Sequence, residues 1–166
     1  MGVGARRFDE RQSPSPSGRP KKSDAAREAL GRSRGGLTTK VHVAVDALGN
    51  PVHIHLSPGQ EADCTHFPRI IEGLPDEVEA IVADKGYDTN TVVGLVEQRE
   101  AEVVIPAKKN RTEGREIDEN LYEDRNKVER FFGKIKQNRA VATRFDKKAA
   151  CFLAVIHLAA IMVWLK

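Results

Sequence analysis

Asp84 and Glu129 are the two acidic residues whose settings in the sequence point to chemistry. Over Leu121–Gln137 (LYEDRNKVERFFGKIKQ), Val128, Phe131, Phe132 and Ile135 recur at i, i+3, i+4 and i+7. That is the apolar stripe of a helix laid on a core. Tyr122, Arg125, Glu129 and Lys136 form a second stripe beside it, at i, i+3, i+7 and i+14. The second stripe puts one carboxylate at the border of core and solvent, flanked by two cations and a phenol. A carboxylate so placed can hold a cation, and the forked guanidinium of Arg125 suits a phosphate. A surface helix with solvated charges has the same pattern; Arg125 then pairs with Glu129 for a few tenths of a kcal/mol. Asp84 closes a short apolar run, Ala80–Ala83, that reads as a strand buried on both faces. An aspartate at the carboxyl end of such a strand stands where open α/β sheets place ligands and catalytic groups. Its simpler role is to cap the turn that follows.

The elements that must position these residues belong to a chain of 166 residues, enough for one domain with a real core. Charged residues make up 31% and aromatics 5%, which fits a globular protein with a polar extension. Two cysteines, Cys64 and Cys151, exclude a disulfide framework and fit a reducing compartment. The net charge of +3 hides an asymmetry: residues 1–40 carry ten Lys and Arg against four Asp and Glu. Residues 41–104 carry three against twelve, and residues 105–148 thirteen against eight. A basic–acidic–basic chain suits a protein that grips phosphates with its ends around an anionic, cation-binding centre.

Met1 to about Lys22 is dominated by Ser, Pro, Gly and Arg and predicts a disordered basic extension, running with a short helix at Ala25–Leu30 through residues 1–30. The folded part is expected over 31–166. GRSRGGLTTK (31–40) reads as a flexible basic approach to a strand. Leu37–Val45 and Pro51–Leu56 flank the turn sequence Asp46-Ala47-Leu48-Gly49-Asn50 and predict a hairpin, in which Asp46 has a local reason to open the turn. His42, His53, His55, Cys64 and His66 follow no standard zinc spacing. Cys64–Glu72 predicts a short helix, Ala80–Ala83 a strand, Thr91–Arg99 a helix and Ala101–Ile105 a further strand closed by Pro106. Lys108-Lys109-Asn110-Arg111-Thr112 is a basic loop, either solvated or in contact with a polyanion. Ala149–Leu165 is seventeen residues without a charge. That is the lower limit for spanning a bilayer, but its Ala content, His157 and the preceding Lys147-Lys148 fit a buried closing helix, so no membrane is expected.

The phrases GRSRGGLTTK, DALGNP (46–51), ADKGYD (83–88) and YEDRNKVERFFGKIK (122–136), in this order and spacing, resemble DDE insertion-sequence transposases of the insertion-sequence-four and -five superfamily. The resemblance runs from about Gly31 to the end. It implies an α/β, ribonuclease-H-like mixed sheet with helices, and Asp84 and Glu129 as the second aspartate and the glutamate of the catalytic set. It places Tyr122, Arg125 and Lys136 at contacts to the transposon end, alongside Lys108, Lys109 and Arg111 of the basic loop.

By the same likeness the chemistry is magnesium-dependent cleavage and joining of DNA, in which carboxylates from separate elements hold the ions. Implied partners are transposon ends and target DNA, further copies of the chain when active, and a product of an upstream reading frame. The implied location is the bacterial cytoplasm, at the nucleoid. The family's first catalytic aspartate lies on a first strand ahead of the GRSRGG phrase, and no matching pattern precedes Gly31. Asp9 and Asp24 lie in no apolar strand. The expectation is therefore a sheet lacking its first strand and a chain that is either a transposase fragment or a catalytically inactive DNA-binding remnant.

Overall fold

The computed structural model describes residues 1–9, 27–33, 36–112 and 114–165. The strands are β1 (Gly2–Asp9), β2 (Gly31–Ser33), β3 (Gly36–Val45), β4 (Pro51–Pro58), β5 (Ala80–Ala83) and β6 (Glu102–Val104). The helices are α1 (Phe67–Glu72), α2 (Asn90–Glu97), α3 (Glu119–Glu123), α4 (Asn126–Ile135), α5 (Arg139–Ala142) and α6 (Ala149–Trp164). The strand order is β2-β3-β1-β5-β6, with β4 also pairing to β3. β1–β5 and β5–β6 run parallel, whereas β2–β3 is antiparallel. This is the mixed sheet of a ribonuclease-H-like fold.

The amino-terminal expectations, disorder and a sheet without its first strand, are corrected by β1. Gly2–Asp9, whose composition suggested disorder, is a strand, and it lies between β3 and β5. Composition misled because a strand central to a sheet draws its stability from ladder bonds on both sides rather than from its own side chains. The Met1 ammonium donates to the Ala80 carbonyl at 2.7 Å, and the Val82 amide to the Met1 carbonyl at 2.7 Å. The rest of the expected disordered stretch, residues 10–22, lies outside the described residues, as does the start of the helix expected at Ala25–Leu30. The described part of the GRSRGG phrase is strand rather than a flexible approach: β2 pairs antiparallel with β3, Gly31 with Thr38 and Arg32 with Leu37, and residues 34–35 lie outside the described residues.

The chain divides into two compact units. The first comprises Met1–Gly4, His42–Ile54 and Ala62–Phe131. In it Gly2 pairs with Val82 and Val3 with Ala83, while Val82 in turn pairs with Val104. Alternation along β1 then separates two faces. Val3 joins the core with Ala44, Phe67, Ile70, Ile81 and Tyr87, where α1 packs on α2. Gly2 and Gly4 face the other way, against Val128 of α4. Closure of the β3–β4 turn falls to Asp46, whose Oδ1 accepts from the Leu48 and Asn50 amides at 2.8 Å each and whose Oδ2 accepts from the Asn50 side chain at 3.0 Å.

The second unit comprises Ala5–Val41, His55–Glu61 and Phe132–Lys166. Its organising residue is Arg144, fully buried. The guanidinium donates to the carbonyls of Asp146 (2.8 Å), Glu28 (2.9 Å) and Lys147 (3.0 Å) and to the Thr39 hydroxyl, and lies 5.3 Å from the Phe152 ring centre. Two segments distant in sequence, at Glu28 and Thr39, are thereby fixed to the start of α6. That helix buries Phe152, Ile156, Ala159 and Ala160. Leu158, Ile161, Met162 and Trp164 are exposed. No helix of the described residues is long and apolar enough to cross a membrane.

Candidate functional site

The helix expected over Leu121–Gln137 forms in two pieces. α3 is capped by Asp118, whose carboxylate accepts from the Asn120 and Leu121 amides. At Asp124 and Arg125 the amides bond three residues back, to Leu121 and Tyr122, which tightens the turn before α4 begins. The stripe Val128, Phe131, Phe132 and Ile135 is buried as expected. Each such side chain stabilises by roughly 1.5–3 kcal/mol, which suffices to hold a ten-residue helix with a charged outer face.

On that outer face Tyr122, Arg125 and Glu129 come together. Arg125 Nη1 donates to Glu129 Oε1 at 2.8 Å, and the guanidinium carbon lies 5.8 Å from the centre of the Tyr122 ring. Both partners of the ion pair are more than a third exposed, so its contribution is a few tenths of a kcal/mol. The pairing expected of a plain surface helix is thus formed, and it is weak enough to yield to a stronger anion. Asn120, Glu123 and Arg130 are among the other residues that line the groove around these side chains. Lys136 is exposed and falls in the second unit.

Asp84 is exposed at the carboxyl end of β5. Its Oδ1 accepts from the Gly86 amide at 2.6 Å, so the capping role is real and occupies one oxygen. A side chain at 86 would place a Cβ 2.7 Å from that oxygen, which is why the turn needs glycine there. The pairing of Gly2 with Val82, continued by two residues, sets Asp84 beside Gly4 and on the same sheet face. That face is the one α4 covers: Val128, the neighbour of Glu129, sits against Gly2 and Gly4. The helix that carries Glu129 therefore packs on β1, the strand that pairs with the one ending at Asp84.

Both carboxylates offer hard oxygen donors of the kind magnesium prefers, with water completing the coordination. Among the described residues no group of three or more His, Cys, Asp or Glu could hold a metal ion. Asp46 is engaged in its turn, where burial would raise its carboxyl but the hydrogen bonds from Asn50, Leu48 and Gly49 hold it below the ordinary value. His42 and His66 lie tilted against each other at 4.9 Å between ring centres, and among the described residues no group of three or more zinc-type ligands forms.

The basic loop after β6 holds a residue that sequence reasoning missed. Asp88 is buried, and its carboxylate accepts from the Lys108 amide (2.8 Å), Arg111 Nε (2.9 Å) and Arg115 Nη1 (3.4 Å). Arg115 also donates to the Ile105 carbonyl at 2.8 Å. Burial would raise the Asp88 carboxyl, but the Lys108 amide and the two guanidinium groups outweigh it and hold it below its ordinary value. Lys109 is exposed. No local signal reveals this cluster, since the carboxylate and its arginines are 23 and 27 residues apart.

Comparison with known proteins gives the chain's relatives. The family model described as the transposase DDE domain matches residues 13–164. A putative transposase for insertion sequence element IS6501 from Brucella ovis is 34% identical over 131 residues, covering 78% of this chain and 100% of that protein. A transposase for insertion sequence element IS1106 from Neisseria meningitidis serogroup B is 40% identical over 53 residues, 32% of this chain and 18% of that protein.

Proposed function

The chain belongs to the DDE-domain transposase family, and from that premise we propose that it cleaves and joins DNA by metal-dependent phosphodiester chemistry centred on Asp84 and Glu129. The observation that carries this reading is the shared sheet face: β1 and β5 lie side by side, and the α4 helix that holds Glu129 is seated on the glycines next to Asp84. Asp84 and Glu129 would hold magnesium. When bound, the ion activates the attacking oxygen and stabilises the leaving one.

The chain's own residues supply the rest. Asp84 presents its carboxylate at a fixed angle, because the Gly86 amide holds one oxygen. Arg125 exchanges the weak pair with Glu129 for a DNA phosphate, freeing that carboxylate for the ion. Tyr122 backs the guanidinium with its ring. Lys108, Lys109, Arg111 and Lys136 neutralise flanking phosphates of the transposon end and the target. The active assembly contains more than one copy of the chain, at the bacterial nucleoid.

A second reading, DNA binding without catalysis, is favoured by one observation. The β1 position beside Asp84 is Gly4, and no third carboxylate joins Asp84 and Glu129 among the described residues. Nicking of supercoiled plasmid with magnesium separates the two. Catalysis requires nicking that disappears in Asp84→Asn and in Glu129→Gln. Tight DNA binding with no magnesium-dependent nicking leaves the binding reading standing alone.

A further inference from the structure

We propose that Asp88 is a positioning residue for DNA: it clamps the loop after β6 into a fixed phosphate-binding shape at the sheet edge that carries Asp84. This rests on the DNA reading above and assigns a role to a residue outside the set with which that reading began.

The placement follows from register. β5 and β6 are parallel, and Val82 pairs with Val104. Continued by two residues, Asp84 is level with Pro106, so the loop leaves the sheet beside the exposed carboxylate. Asp88, four residues after Asp84, bonds that loop with a side chain that is wholly buried. It takes up three donors from three loop positions: Lys108 through its backbone, and Arg111 and Arg115 through their side chains. The Arg111 amide closes a turn on the Lys108 carbonyl at 3.0 Å, so the loop is tied twice. Arg111 spends only Nε on Asp88, and 29% of its side chain stays exposed. A guanidinium held by one edge is pre-oriented to offer the other to phosphate, with less entropy lost on binding. Two arginines on one carboxylate leave the cluster cationic, so it attracts DNA while remaining paired.

The sign of the effect makes this testable. If Asp88 were simply one more negative charge near DNA, its removal would tighten binding. If it positions the loop, removal weakens binding although net charge becomes more positive. Binding of the 166-residue chain to a fluorescein-labelled duplex of about 20 base pairs is followed by anisotropy from 50 to 200 mM salt. Asp88→Asn is expected to weaken binding about five- to tenfold at 100 mM salt and to make the slope of log K against log salt shallower by about one. Asp88→Glu, which keeps the charge, is expected to recover part of the loss. Unchanged or tighter binding in a folded Asp88→Asn protein overturns the proposal while the DNA reading survives. Wild type that fails to bind at 50 mM salt overturns both. Hydrogen exchange on the wild type needs no variant to fold: the Lys108 amide is expected to exchange far more slowly than the Lys109 amide, and equal rates would refute the clamp.

Discussion

Gly4 and Val128 leave no room for a side chain between them: a Cβ on Gly4 would stand 2.6 Å from Val128 Cγ1. The glycine thus sets how deeply the helix of Glu129 sits on β1. In an ordinary strand Gly→Ala is favourable by about 0.5–1 kcal/mol. Here Gly4→Ala is expected to destabilise by about 1–3 kcal/mol, because the helix must lift or Val128 must leave its rotamer. Pairing it with Val128→Ala should cost clearly less than the sum of the two single changes. Urea unfolding of the four proteins in this cycle measures the coupling, and additive effects would show that the helix does not rest there.

Arg125→Ala should leave stability within about 0.5 kcal/mol of wild type, since both partners of the pair with Glu129 are more than a third exposed. On the proposed function its effect is expected on DNA: affinity should drop and the salt slope should lose about one unit. Thermal melting beside anisotropy titration tests both halves. A large loss of stability with DNA affinity preserved would reverse the assignment.

Asp46 and Asp88 both have carboxyls held below the ordinary value of 3.8 in the folded chain. Their stabilising contributions are complete above that value and disappear as pH falls through the lower folded-state value. Stability measured by urea midpoint should therefore be flat near neutrality and decline below about pH 4. Asp88→Asn should lower the midpoint near neutrality and flatten the acid decline. A variant whose acid limb matches wild type would show that Asp88 titrates alike in both states.

Arg144→Lys should fail to substitute for the native residue. One ammonium cannot reach the carbonyls of Glu28, Asp146 and Lys147 together with the Thr39 hydroxyl. A loss of about 3 kcal/mol or more is expected, by circular dichroism melts, with Arg144→Met no worse than Arg144→Lys. Wild-type stability in Arg144→Lys would mean that the fork is dispensable.

Elements with strong periodicity were legible in the sequence. Ala80–Ala83 is a strand with the boundaries its apolar run implies, and the stripe on α4 is buried. What was hidden has physical reasons. β1 has the composition of a tail because Gly2 and Gly4 are required to be small by Val128, a residue more than 120 positions away. Asp88 looked like part of a helix start, whereas Thr89 makes the cap, accepting from the Val92 amide. Its actual partners lie across a strand and a loop. The break at Asp124–Arg125 leaves the helical pattern intact on both sides, so no periodicity argument could find it. The roles proposed for Tyr122, Arg125, Glu129 and Asp84 rest on likeness to the transposase family, and the structure shows only where these side chains sit.

The pairing of β1 with β5 also has a consequence for how the chain is made. The Met1 ammonium bonds a carbonyl 79 residues further on. At about 5–20 residues per second on the ribosome, roughly 4–16 s pass between the two ends of that contact leaving the peptidyl-transferase centre. Through this interval the middle strand of the sheet exists without its parallel partner. Loop closure over such a separation is slow, and unpaired strand edges are open to the wrong neighbours. Nascent chains are therefore expected to depend on holding chaperones until Ala80–Ala83 arrives, and a ribosome paused before that point should carry a protease-sensitive amino end.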